Sequence, residues 1–247
     1  LTADILSGDR KTPGITELAV DFIFDSLKTA FVLILSWDPE VYKTVWTSLY
    51  VSLIAIVFST VAGVPAGMAI GLGQFPGRRA VITLLNTLMA LPTVVIGLVV
   101  YGFFSRSGPL GQFGLLFTPT AMVVGQIILA TPIIANYTLG ALSASDSRIM
   151  PTALTLGAST SRGALLLMQE IRFGVMAAII AGFGRIIAEV GVAMMLGGNI
   201  RGYTRTMTTA IALETSKGEF AFGLALGIFL LSVALLINMF LNFLQQR

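Results

Sequence analysis

Composition, hydropathy and the spacing of apolar runs together predict an all-α polytopic membrane protein with about five core transmembrane helices. Of the 247 residues, 55% are hydrophobic and 11% are charged, whereas soluble domains carry about 25% charged residues. The mean hydropathy is +0.90. Five apolar runs, residues 45–72, 80–104, 120–142, 173–196 and 220–244, reach the ~20 residues that a helix needs to cross a bilayer. They are too long and too evenly apolar for barrel strands, and lipid admits only helices or closed barrels.

The elements follow in order. Residues 1–19 are polar, with "GDRKTPG" at their centre, and lack the basic start and apolar run of a signal peptide. The chain starts at Leu1 rather than Met, so these residues read as a flexible tail or an appended remnant. That leaves 20–247 as the transmembrane domain. Residues 21–36, "DFIFDSLKTAFVLILS", are interrupted by Asp25 and Lys28 and are short for a span. They predict an N-terminal helix lying in the membrane interface. In the first span, Gly63, Gly67 and Gly71 recur every four residues on one face. Such spacing permits close helix approach, although glycine is also simply common in membrane helices. Pro65, Pro92 and Pro132 each fall inside a span and predict kinks.

Several chemistries are excluded. With no cysteine and no histidine, disulfides, Cys/His zinc sites and Ser-His or Cys-His nucleophile pairs are absent. An intramembrane enzyme would need a Ser/Lys or paired-carboxylate site, but no lysine lies in a predicted span and no second acid accompanies Glu189. The dispersed net charge of +3 argues against nucleic acid as a partner. There is no phosphate-binding GxxxxGK[ST] motif; "GLGQFPGRR" (71–79) lacks its Lys-Ser/Thr end. An ion-coupled secondary transporter would show internal repeats and several deep acids; no clear repeat is present, and Glu189 is the one deep acid.

Between the third and fourth spans, residues 143–172 contain "PTALTLGASTSRGALLL", too polar to cross a bilayer and too apolar for a solvated loop. Two short helices are expected. Ser147 caps the first and Pro151 lies in its first turn. Gly157 ends it in a left-handed conformation, and Ser159 caps a second helix reaching about Glu170. Ile149, Met150, Ala153, Leu154 and Leu156 give the first helix an apolar side, while Ala158, Gly163 and Ala164 leave room for close contact. An amphipathic loop resting on the membrane and a docking element for a soluble partner both fit this periodicity.

The stretch "PTALTLG" resembles the E-A-A-x-x-x-G-x(9)-I-x-L-P loop in permease subunits of ATP-binding-cassette importers. Ala153 and Gly157 match the second alanine and the glycine. Pro151 and Thr152 depart from it, and "LMQE" (167–170) replaces I-x-L-P. Residues 90–118 and 182–212 resemble the molybdate, sulfate and tungstate branch of that family. The similarity spans roughly 41–247, and the second segment looks closest to tungstate permeases, with molybdate or sulfate as alternatives.

The resemblance implies a type I importer permease fold in the cell (inner) membrane, working as a homodimer by alternating access. It implies two cytoplasmic ATPase subunits that carry the ATP and Mg, with no cofactor on this chain. A periplasmic or extracellular oxyanion-binding protein would deliver substrate. It makes 143–172 a cytoplasmic coupling loop, with Ala153, Leu154, Gly157, Ala158 and Ser159 at the ATPase contact. Charge alone leaves orientation tied: Arg78, Arg79, Arg148, Arg162, Arg172 and Arg247 oppose Lys28, Lys43, Arg106, Arg201, Arg205 and Lys217.

Two groups are candidates for the translocation path. Arg185 and Glu189 lie four apart in the fourth span, where they can pair. They fit either a gate or a structural ion pair. "GGNIRGYTRTMTT" (197–209) gathers Asn199, Arg201, Thr204 and Arg205 with no acid before Glu214, a donor-rich set suited to a tetrahedral oxyanion. Under the implied topology this segment faces outside, as an anion vestibule or as a solvated loop contacting headgroups or a partner.

Overall fold

The computed structural model describes residues 15–245, which form eleven α-helices, one 3₁₀ turn and no strand. Three helices are each long and apolar enough to cross a membrane: α2 (Pro39–Leu72), α5 (Pro119–Ser143) and α11 (Phe220–Gln245), the last over Phe220–Ile237. Two bent pairs, Arg78–Ala90 with Thr93–Phe104 and Thr160–Glu170 with Arg172–Ile187, bring the number to five if each pair counts as one span.

Helix α1 (Ile15–Leu35) begins inside the stretch expected to be a tail; residues 1–14 of that stretch lie outside the described residues. It packs along α11, with the Phe22 and Phe220 rings 5.6 Å apart. The chain turns at Trp37, whose φ is +56°. Asp38 then caps α2, accepting from the Glu40 and Val41 amides at 2.9 and 3.0 Å, with Pro39 in the first turn. Such a cap contributes about 1 kcal/mol.

Helices α2 and α5 pack along most of their lengths, and the glycine face of α2 is what permits it. A Cβ on Gly63 would lie 3.0 Å from the Thr131 carbonyl oxygen, and one on Gly67 only 2.4 Å from that of Ala135. On Gly71 it would meet a Leu142 methyl at 2.3 Å. Buried serines on the same helix, Ser48, Ser52 and Ser59, keep its inner face narrow.

Proline acts differently at its three sites. Pro65 and Pro132 stay inside continuous helices. Pro92 instead separates α3 (Arg78–Ala90) from α4 (Thr93–Phe104), and the two meet at 97°. Leu91, held extended as the residue before a proline, makes the break. The expected continuous second span is therefore two helices. The fourth is divided too, at residues 188–190, into α8 (Arg172–Ile187) and α9 (Gly191–Gly197). Helix α4 lies beside α9, and α8 crosses α5 with Gly182 against Ile134.

Between α5 and α8 run α6 (Ile149–Thr155) and α7 (Thr160–Glu170), the two short helices expected there. Helix α10 (Met207–Lys217) was not foreseen; it begins at the end of the segment 197–209 and packs on α11.

The packing sets one test. Gly67→Ala should destabilise the detergent-solubilised chain by about 1–3 kcal/mol through overpacking. Gly184→Ala, whose Cβ meets nothing within 4 Å, should be neutral or slightly stabilising. Equal melting temperatures for the two variants would contradict the close α2–α5 contact.

Candidate functional site

The coupling segment is built by local hydrogen bonds. Asp146, rather than Ser147, opens α6: its carboxylate accepts the Arg148 amide at 2.9 Å and its carbonyl accepts the Ile149 amide. The same carboxylate grips the Arg148 guanidinium at 2.8 Å, which Ser147 has no charge to do, and this holds the Asp146 carboxyl below the usual carboxylate range. Gly157, at φ +85°, closes the helix. Its amide donates to the Leu154 carbonyl and the Ala158 amide to that of Ala153, the paired bonds of a left-handed helix stop. Ser159 caps α7 through the Arg162 amide. Gly163 lets the two helices touch, since a Cβ there would sit 2.5 Å from the Met150 sulfur.

This arrangement buries Ala153 and Leu167 and leaves an apolar edge bare. Leu156 is 82% exposed, with Leu154, Leu165 and Leu166 also exposed. Beside it lies a cavity of about 930 Å³ lined by Asp146, Thr152, Leu156, Glu170, Arg172 and Phe173. The backbone runs from α7 into α8 through the buried Ile171, whose amide bonds the Leu167 carbonyl and whose carbonyl accepts the Val175 amide. The two helices meet at 69°. A push on α6 and α7 therefore reaches α8 without a flexible linker.

The far end of α8 carries the Arg185–Glu189 pair. The bridge forms as the spacing predicts, with Nη1 to Oε2 at 2.5 Å, but the helix has already ended at Ile187. Glu189 is 3% exposed and takes over bonds that a continuous helix would have made. Its Oε1 accepts the Val192 amide at 3.2 Å, starting α9, and its carbonyl accepts the Thr208 hydroxyl at 2.8 Å. From α5, Gln126 Nε2 donates to the Ile186 carbonyl at 3.4 Å. Gly191 abuts the start of α4: a Cβ there would lie 2.9 Å from Thr93 Oγ1. The breaks at Pro92 and Glu189 thus sit side by side. Gln126 escaped the sequence reading, since its position carries no local signal, whereas Thr208 belongs to the donor-rich segment 197–209 but bonds the Glu189 carbonyl.

The segment between α9 and α10 is knitted rather than open. Asn199, at φ +50°, donates to the Thr209 carbonyl and accepts its hydroxyl. Thr204 donates to the Gly197 carbonyl and accepts the Ile200 amide. Thr206 and Thr209 form a reciprocal cap on α10, and Ser48 takes the Met207 amide at 2.7 Å. Arg205 is buried, with Nη1 3.0 Å from Glu40 and 3.1 Å from Glu214. Arg201 also pairs with Glu40, which holds its guanidinium above the usual range, and Lys217 lies 3.1 Å from Glu214. Charges therefore alternate along Arg201, Glu40, Arg205, Glu214 and Lys217, around a cavity of about 330 Å³. Arg205 spends its terminal donor on carboxylates, whereas the Arg201 side chain is 72% exposed.

This cluster gives a second test. Arg205→Met removes the buried cation between the half-buried Glu40 and the buried Glu214, each left with one rim partner, and should cost about 3 kcal/mol, the lower end for breaking a buried pair. Arg201→Ala, at the rim, should cost less than about 1 kcal/mol. Thermal unfolding that ranks them in the opposite order would contradict the clamp.

Comparison with known proteins agrees with this architecture. A chain of a bacterial alginate ABC transporter, solved in complex with alginate pentasaccharide-bound periplasmic protein, superposes with a TM-score of 0.73 at 19% identity, covering 92% of this chain and 88% of that one. A probable anion ABC transporter permease protein of Haloferax volcanii is 42% identical, over 77% of this chain and 84% of its own length. The tungstate uptake system permease protein TupB of Peptoclostridium acidaminophilum is 35% identical over 92% of this chain and all of its own. Residues 63–247 match the family model for the inner membrane component of binding-protein-dependent transport systems. The chain belongs to that family, as an all-helical ABC importer permease that crosses the membrane several times.

Proposed function

We propose that this chain forms the translocation path of an ATP-driven importer of tetrahedral oxyanions, with tungstate as its cargo. It works as a homodimer in the inner membrane. Two ATPase subunits dock on α6 and α7 from the cytoplasm, and a separate oxyanion-binding protein delivers substrate on the opposite side. The observation that carries this reading is the bare apolar edge of α6–α7 joined stiffly to α8. An exposed leucine beside a concave cavity suits insertion into a partner. The sequence has no phosphate-binding loop of its own. The full-length similarity to a tungstate permease supports the choice of cargo.

In this mechanism ATP binding closes the partner ATPases and moves α6 and α7. Ile171 passes the movement to α8, and the far end of α8 shifts at its joint with α9. Access then changes from one side of the membrane to the other. Within the segment between α9 and α10, Arg201 is the exposed basic residue and meets the incoming anion. Arg205, Asn199 and Thr204 hold the loop that presents it. Binding along the path stays weak so that the anion is released.

Purification with the neighbouring gene products tests the assignment. ATP hydrolysis by the assembled complex should rise with binding protein and tungstate, more than with molybdate or sulfate. The isolated chain should show none. Hydrolysis indifferent to all three oxyanions, or uptake that persists without the ATPases and follows an ion gradient, would overturn it. Burying a leucine contributes about 1.5–3 kcal/mol, so Leu156→Asp should weaken retention of the ATPases by roughly ten-fold or more. Unchanged retention would contradict docking at α6.

A further inference from the structure

The Arg185–Glu189 pair is asymmetric. Glu189 is 3% exposed and fixed at three points: Arg185, the Val192 amide and the Thr208 hydroxyl. The Arg185 side chain is 42% exposed, and only its Nη1 is engaged; its other N–H groups have no partner among the described residues. The guanidinium projects from the exposed stripe of α8. Beside it in sequence Gly184 is exposed, and Gly184 lines, with Ala177, Ala181 and Ala188, a cavity of about 350 Å³ walled on its far side by Leu230, Ala234 and Ile237 of α11. A Cβ on Gly184 would meet nothing within 4 Å. A half-exposed charge in the span thus stands next to free space at Gly184. Turning such a charge to lipid is costly, so this face looks onto water or onto the partner copy across a path.

We propose that Arg185 is the transit ligand for the permeant oxyanion, and that Glu189 is the counterion that the anion displaces. The inference rests on the oxyanion-importer reading above. A guanidinium offers parallel N–H donors that match two oxygens of a tetrahedral anion. Glu189 cannot follow the anion, because its backbone and its second oxygen belong to α9 and α10. Arg185 sits on the last turn of α8, the helix driven from the coupling loop. Movement of α8 draws the guanidinium from the carboxylate and opens its inner donors to the anion. The return stroke restores Glu189 and expels the anion, which keeps the site from becoming a trap.

The test uses the complete importer, with ATPases and binding protein, in proteoliposomes. Arg185→Gln should lower tungstate uptake at least about ten-fold, the size expected for losing a charge-assisted hydrogen bond. Arg185→Lys should restore part of the uptake. Uptake by Arg185→Gln within two-fold of wild type overturns the inference, and so does a lysine variant no better than the glutamine one. The chain has no cysteine, so Gly184→Cys gives an independent measurement with Arg185 in place, and it decides if Arg185→Gln fails to assemble. A sulfonate-bearing thiol reagent should label it during turnover, and tungstate should slow the labelling. No labelling, or labelling that tungstate leaves unchanged, overturns the assignment. A wild-type importer that no oxyanion stimulates would fell the underlying reading instead, and this step with it.

Discussion

Within a bilayer a backbone can leave the helix only where other groups take over its hydrogen bonds. That constraint explains why the chain places Glu189, Gln126 and Thr208 together. At residues 188–190 the helix ladder stops, and the carboxylate of Glu189 in the break, an amide from α5 and a hydroxyl from α10 replace it. The arrangement joins α8 to α9 without continuing the helix between them. It is held by side chains, which can exchange partners, rather than by ladder bonds, which cannot. The neighbouring break at Pro92 needs less, because proline has no amide to satisfy.

The surrounding packing gives that joint something to move against. The glycine face of α2 and the matching groove of α5 form a close-fitting unit with no room to slide. At one end, the alternating charges around Arg205 tie the start of α2 to the loop before α10. At the other end, α6 and α7 present an apolar edge and are locked to each other and to α8. Rigid pieces at both ends thus flank a joint held by side chains.

Much of this was legible in the sequence, and the limits are physical. Spans depend on local hydropathy, so four of the five apolar runs coincide closely with helices or broken pairs. The first is the exception, because its helix starts six residues earlier, at Pro39. The caps at Gly157 and Ser159 also depend on nearest neighbours, and both are where the sequence placed them. The breaks were not legible. Pro92 sits in an apolar run much like those of Pro65 and Pro132, and tertiary packing decides which proline ends a helix. Helix α10 was hidden because "MTTAIALETSK" is too polar for a span, although Thr206 and Gly218 bracket it as cap residues. The Arg201–Glu40 pair joins residues 161 apart, beyond any local pattern. The segment read as an open donor set was thus missing its acids.

The most direct measurement is amide hydrogen exchange across residues 186–194 in the folded chain. If Glu189 replaces the helix ladder, the Val192 amide is protected in the wild type. Glu189→Ala should then speed exchange at Val192 by roughly ten-fold or more, the signature of local opening, while amides in the middle of α2 keep their protection. Exchange at Val192 that is already fast in the wild type, or that the substitution leaves unchanged, would contradict the account.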